Sequence, residues 1–121
     1  MQKIYLAIPY SHDDAGIKDY RFKTANRYAA MLMRWGYIVF SPISHSHTIA
    51  INNKLPVEWS FWEAQDRSFV EWADIIVVIC IDGWKESVGV QAEIRLAEEL
   101  GKQIIYQDPS ATLDDNLEKI K

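Results

Sequence analysis

Cysteine is almost missing from this chain of 121 residues: Cys80 stands alone. A single thiol excludes an internal disulfide framework and fits a reducing compartment. Glycine and proline are scarce, with five and four copies, which removes collagen-like and linker character. No apolar run approaches the ~20 residues that a membrane-spanning helix needs. The opening segment MQKIYLAIPYSH has one lysine and a short apolar stretch broken by Pro9, so a secretory signal is not expected. Positive charge is also short, 13 Lys and Arg against 17 Asp and Glu, for a net charge of -4. That balance argues against a nucleic-acid polymer as partner, because its backbone demands clustered cations. A small anion stays open, since a few backbone N–H groups and one hydroxyl can hold a phosphate. What is plentiful is apolar surface: 49% hydrophobic residues suffice for a core and exclude disorder. The expectation is one cytoplasmic globular domain over residues 1–121, with no membrane contact.

The hydrophobic pattern alternates between two periods. Lys3–Ile8 reads as a buried strand stopped by Pro9, and Pro9–Ile17 as a polar loop. From about Lys18 to Trp35, Phe22, Ala25, Ala29 and Leu32 recur at helical spacing, and Gly36 supplies the stop. Tyr37–Phe40 is a second strand. Ile43 to about Val57 reads as a long irregular stretch carrying His45, His47, Asn52 and Asn53; a loop this long in a small domain is usually functional. A helix follows around Trp59–Ala73, with Trp62, Phe69 and Trp72 among its apolar members. Ile75–Ile81 (IIVVICI) is the most apolar run and reads as a central parallel strand. A turn over Asp82–Ser87, a helix over Val88–Leu100 with a core stripe of Val90, Ile94 and Ala97, and a strand over Gln103–Tyr106 complete the pattern. The tail Gln107–Lys121 is polar, with room for one short helix from Leu113. Strict alternation predicts an α/β fold of the Rossmann-like or flavodoxin-like kind: a three-layer sandwich around a mostly parallel sheet of about four strands, ordered 2-1-3-4. Ligands in such sheets sit beyond the carboxyl ends of the strands, which directs attention to Pro9–His12, Ser41–His47 and Asp82–Gly89.

Those loops hold most of the chemistry. Ser87 sits where a helix N-cap belongs, and Gly89 allows close approach to the backbone. Glu93 lies one to two turns inside, and helical side chains lean back toward the N-terminus. The ordinary reading is a capped helix with a solvated glutamate. Asp66 and Asp74 stand eight apart; Asp74, directly before the central strand, suits pairing with a backbone N–H, and Asp66 is either a surface acid or a pocket residue. Asp66 and Glu93 in one pocket would give two carboxyl groups, one to attack and one to donate or position a proton, as glycosidic cleavage requires. His45 and His47 would point the same way in an extended segment, but no third ligand completes a metal site. Trp59, Trp62 and Trp84 are able to stack on a nucleobase, although aromatics at helical spacing are usually core. Tyr5 lies inside a strand where packing is the default. Cys80 reads as inert core.

Tyr5-Leu6-Ala7 opening a strand, Asp66 with Asp74 eight residues on, and Ser87-x-Gly89-x-x-x-Glu93 together resemble the nucleoside 2-deoxyribosyltransferase superfamily. The Gly83-Trp84-x-x-Ser87-x-Gly89-x-x-x-Glu93 version is most similar to a branch of small proteins of the DUF1937 and DUF4406 kind. The resemblance spans roughly Lys3 to Tyr106. It implies that Glu93 is a nucleophile forming a glycosyl ester, that Asp66 helps the base leave or orients the nucleophile, and that Tyr5 lies near the nucleophile. It also implies that Ser87 and Gly89 hold phosphate or sugar. The superfamily's nucleotide hydrolases carry a Gly-Ser-Ile-Arg type loop after the first strand. Here that loop is Ile8-Pro9-Tyr10-Ser11-His12, so Ser11, His12, Lys18 or Arg21 would have to substitute.

The expected activity is N-glycosidic cleavage or base exchange on a nucleoside or nucleoside 5'-monophosphate, without metal or organic cofactor. Catalysis is expected from Glu93, Asp66 and Tyr5, and substrate binding from Ser87, Gly89, Trp84, Ser11, His12 and His45. The alternatives are a non-catalytic nucleotide-binding module, or a structural or interaction protein using exposed tryptophans. Five tryptophans in so short a chain suggest surface that a partner covers, hence a homodimer or higher oligomer.

Overall fold

A computed structural model describes residues 2–109. Four strands, β1 (Lys3–Ala7), β2 (Ile38–Phe40), β3 (Ile75–Ile79) and β4 (Gln103–Gln107), form one fully parallel sheet ordered β2-β1-β3-β4. This is the α/β fold and the 2-1-3-4 order that the sequence pattern predicts. The central place of β3 follows from its composition: IIVVI is buried at every position, so it needs cover on both faces and a strand on each side. Four helices connect the strands: α1 (Ala15–Arg34), α2 (Pro42–Asn53), α3 (Trp59–Trp72) and α4 (Val88–Glu99). The expected short helix from Leu113 lies outside the described residues.

Alternation along the strands sorts two cores. Ile4, Leu6 and Ile8 of the first strand segment join Ile75, Val77 and Ile79 under α1, where Ala25, Tyr28, Ala29 and Leu32 meet them. Tyr5 and Ala7 turn to the opposite face with Ile76 and Val78, against Val70 of α3 and Val90, Ile94 and Ala97 of α4. The register pairs Tyr5 with Phe40 on one side and Ile76 on the other. Tyr5 is thereby fixed at the middle of the sheet, facing α4.

Two differences from the sequence pattern matter for the site. Helix α1 begins three residues earlier than expected, because the Asp14 carboxylate caps it by accepting from the Gly16 and Ile17 N–H groups at 2.7 and 3.2 Å. More consequentially, most of the stretch read as irregular is helix α2. Ser41 is its N-cap, Pro42 stands in the first turn, and Lys54 closes it in the left-handed conformation at φ 53°. Its sequence, PISHSHTIAINN, is rich in weak helix formers, and among its residues only Pro42 and His47 are fully buried. The apolar period is therefore faint. The tail read as polar from Gln107 also begins differently, since Gln107 is a wholly buried residue of β4.

Asp74 ties the ends of the two inner strands together. Its N–H donates to the Lys3 carbonyl at 2.8 Å and its carboxylate accepts the Lys3 N–H at 2.9 Å. Asp74→Ala is expected to lower stability by about 1 kcal/mol. The check is a lower denaturant midpoint with an unchanged m-value; an unaltered midpoint would contradict the role.

Candidate active site

The buried stripe of α4 runs Val90, Glu93, Ile94, Ala97, so an acidic residue occupies a core position. Ser87 sets where this stripe begins, its hydroxyl accepting the Val90 N–H at 3.2 Å. Glu93 is 5% exposed, which overturns the solvated-glutamate reading. The strand register brings the Tyr5 hydroxyl to it, and that hydroxyl donates to Glu93 Oε2. Burial pushes Glu93 up to about 8, with the Tyr5 hydrogen bond working against the rise and the Asp66 charge adding to it. Tyr5 is itself raised well above its ordinary value, by burial first and then by the charges of Glu93 and Asp66.

Helix α3 contributes the second acid. Trp59, Trp62 and Asp66 stand at helical spacing on the face turned to the same cleft, and Val70 continues that face into the core. Asp66 is 8% exposed, and its Oδ1 is buried without a hydrogen-bond partner. Burial lifts its carboxyl to about 7. An orphaned carboxylate oxygen in such surroundings costs more than a neutral carboxyl, which is why the protonated form persists up to about pH 7.

Asp66 and Glu93 open onto one cleft of about 730 Å³ at the carboxyl ends of the strands. Of the residues expected to bind substrate, Ser11, Ser87 and Gly89 line it. A Cβ at Gly89 would meet Trp59 Cε3 at 3.7 Å, an ordinary contact, so the missing side chain leaves room at the wall. Tyr5 reaches the site from beneath, through Glu93.

Three expected residues are placed elsewhere. His12 is exposed and accepts the Asp14 N–H on Nδ1 at 2.9 Å, shaping the turn before α1. His45 is exposed, its Nδ1 next to the Ser46 hydroxyl at 3.1 Å. Residues i and i+2 of a helix are rotated about 200° from each other, so once α2 is helical His45 and His47 cannot share a direction. Trp84 folds back toward the β4 side, its ring 5.7 Å from that of Tyr106 and its carbonyl accepting Gln91 Nε2 at 3.1 Å. None of the five tryptophans is among the exposed large apolar residues; all are half-buried, which corrects the idea of a tryptophan-lined outer surface.

The cleft also takes residues outside the expected catalytic and substrate-binding set. His47 is buried between Phe22, stacked at a centroid distance of 4.1 Å, and Tyr10, whose hydroxyl lies 2.5 Å from His47 Nδ1. Burial lowers the His47 pKa. Trp59 and Trp62 form the α3 wall, the Trp62 indole N–H donating to the Pro56 carbonyl at 2.9 Å. Lys18 and Lys54 are the cations among its lining, which also includes Glu58 and Glu86. The signal for His47 was its burial phase within α2, invisible while that segment read as a loop. Among the described residues no group of three His, Cys, Asp or Glu side chains is arranged to hold a metal, and no helix is long and apolar enough to cross a membrane.

A parallel 2-1-3-4 sheet with two acids and a tyrosine beneath one cleft is the setting in which the comparisons with known proteins fall. The chain is similar to a solved structure of 2-deoxyribosyltransferase from the psychrotolerant bacterium Bacillus psychrosaccharolyticus, described as a biocatalyst for the industrial synthesis of antiviral and antitumoral nucleosides. Identity is 28%, the TM-score is 0.59, and the match covers 86% of this chain and 70% of that one. Fold and sequence together define a nucleoside 2-deoxyribosyltransferase-like protein. No curated protein matches the chain. Residues 2–108 match the family described as a domain of unknown function, DUF1937, and the chain belongs to that family.

Two carboxyl groups whose folded pKa values lie above their unfolded ones make stability depend on pH in a definite direction. Between the ordinary carboxylate range and about 8 the folded state binds more protons than the unfolded chain, so stability falls as pH rises through that window. Glu93→Gln and Asp66→Asn remove the term. Each is expected to raise Tm relative to the parent, by a margin that widens from pH 5 to about pH 8. Equal Tm differences at the two pH values would contradict the burial of these acids.

Proposed function

We propose that the protein cleaves the N-glycosidic bond of a nucleoside or nucleoside 5'-monophosphate through a covalent sugar ester on Glu93. The observation that carries this reading is a glutamate on a core stripe, hydrogen-bonded by a buried tyrosine and sharing a cleft with a second acid. Burial alone favours the single proton on Glu93, raised to about 8, over Asp66 at about 7. The reaction draws on the other distribution of that same proton, with the charge on Glu93, where the Tyr5 hydroxyl donates, and the proton on Asp66. A Glu93 oxygen attacks the anomeric carbon, the bond from that carbon to the base nitrogen breaks, and the base leaves with the bonding pair. Asp66 supplies its proton to the departing base, directly or through water. Water, or the nitrogen of a second base, then attacks the same carbon and frees Glu93, giving a free sugar or an exchanged nucleoside.

Base recognition falls to the cleft walls. Trp59 and Trp62 offer aromatic surface on one side, and His47 with Tyr10 offers a polar edge on the other. Lys18, Lys54, Ser11 and the N-terminus of α4 at Ser87 are the groups that would meet a 5'-phosphate. The same proposal includes a second copy of the chain over the cleft mouth, because the lining residues Ile51, Val57 and Val88 are 54%, 51% and 68% exposed. Light scattering should return a dimer or larger species, and a monomer at working concentration would remove the second copy from the account.

Incubation with a panel of common nucleosides and their monophosphates, followed by chromatography for free base, tests the reaction. Glu93→Gln should lose base release by on the order of 10⁴-fold, and Asp66→Asn by roughly 10²–10⁴-fold. The pH profile of kcat/KM should be bell-shaped, rising as the pair loses its first proton near neutral pH and falling as it loses the second. Asp66→Asn should erase the alkaline limb. Nucleoside binding without base release would favour a binding module instead.

A further inference from the structure

Arg21 is the most deeply buried cation among the described residues, at 8% exposure, yet it does not line the cleft. Its guanidinium reaches two loops that are distant in sequence. Nη1 donates to the Ser11 carbonyl at 3.0 Å, in the loop after β1, and Nη2 donates to the Asp82 carbonyl at 3.1 Å, in the loop after β3. Both loops supply the cleft: the first brings Tyr10 and Ser11, the second Glu86 and Ser87, the cap of the helix that carries Glu93. The space for the guanidinium is made by Gly83. A Cβ there would stand 2.6 Å from Nη2, and the residue has φ +93°, so both the close approach and the backbone conformation favour glycine.

We infer that Arg21 is a positioning residue, a brace that holds the loops after β1 and β3 as one rim and so sets the width of the cleft above Glu93. The inference rests on the proposed reaction for its kinetic consequence, but the mechanical claim stands apart from it. The geometry suits arginine in particular. A planar fork satisfies two carbonyls at once, whereas a lysine ammonium at the same place is a point charge on a different reach. Burial lowers the Arg21 pKa, with the Asp82 charge acting in the opposite sense, and an arginine remains charged in proteins. The two hydrogen bonds are therefore charge-assisted throughout the working pH range. A misplacement of about 1 Å in a site of this kind costs about 10²-fold in rate, so loosening the rim is expected to weigh on turnover as well as binding.

The test compares the full chain with Arg21→Ala, Arg21→Lys and Gly83→Ala, the last pushing on the guanidinium without removing its charge. Gly36→Ala is the control, since Gly36 has the same φ of +93° and nothing within 4 Å of its would-be Cβ. Amide hydrogen exchange is read in residues 10–13 and 82–87, and base release is read as kcat and KM separately. Exchange should quicken in both loops together for Arg21→Ala and Gly83→Ala, and less for Arg21→Lys, with β1 and β3 unchanged. Base release should drop by roughly 10–100-fold in kcat/KM, with kcat sharing the loss. Gly36→Ala should lower Tm and leave both loops and kcat alone. Unchanged exchange, or quickening in one loop only, overturns the brace, and so does a loss confined to KM. If Arg21→Ala fails to fold, Gly83→Ala and Arg21→Lys carry the test. A parent protein that releases no base from any nucleoside would overturn the proposed reaction, while the exchange data would still decide the brace.

Discussion

The Glu93 carboxyl on the buried stripe of α4 is the constraint around which the rest of the molecule is arranged. A glutamate flanked by Val90, Ile94 and Ala97 opposes folding when ionised, and the hydroxyl of Tyr5 donates to it. That donor is available because strand alternation turns Tyr5 to the α4 face and the register of β1 between β2 and β3 fixes its height. The helix cap at Ser87 sets the phase of α4, and the packing of Val70 sets the depth of Asp66 on α3. A fold of ordinary α/β design thus brings two acids and a tyrosine to the end of its central strands.

The arrangement is expensive in stability and useful in chemistry. A buried acid pair that holds one proton near neutral pH provides a charged oxygen and a proton donor within a single cleft. Solvation by water would bring both groups back to ordinary carboxylates and separate neither role. The remaining walls suit a flat heteroaromatic ligand: half-buried tryptophans on α3 and a buried histidine on α2 stacked against Phe22. The similarity to a 2-deoxyribosyltransferase agrees with that shape, and membership of the DUF1937 family extends over nearly all the described residues.

Much of the fold could be read from residues alone. The run Ile75–Ile81 could only be central, Gly36 and Gly101 mark helix ends, and β/α alternation leaves few topologies. Helix α2 was hidden because its residues are weak helix formers and few of them are buried, although Ser41-Pro42 is a helix-start signature. With α2 hidden, His45 looked equivalent to His47, and the Phe22–His47–Tyr10 cluster had no visible cause. Asp66 and Ser87 stand out in the sequence by motif spacing, and Glu93 carries a further signal directly: it falls on the stripe of Val90 and Ala97. Trp84 and His12 share loops with site residues, but a loop's sequence does not say which way each side chain turns. Sequence alone offers Arg21 as an anion holder; its burial against Gly83 depends on two loops meeting, which no local pattern records.

The central claim is that the sugar passes through a covalent ester on Glu93, and peptide mapping after turnover reads this directly. The protein is incubated with a 2'-fluoro-2'-deoxynucleoside, whose fluorine slows breakdown of a sugar ester, then acid-quenched, digested and analysed by mass spectrometry. The account predicts a mass gain of one fluorinated sugar, less water, on the peptide containing Glu93, and no gain in Glu93→Gln. Base release accompanied by a sugar on a different residue, or by an unmodified Glu93 peptide, would contradict it.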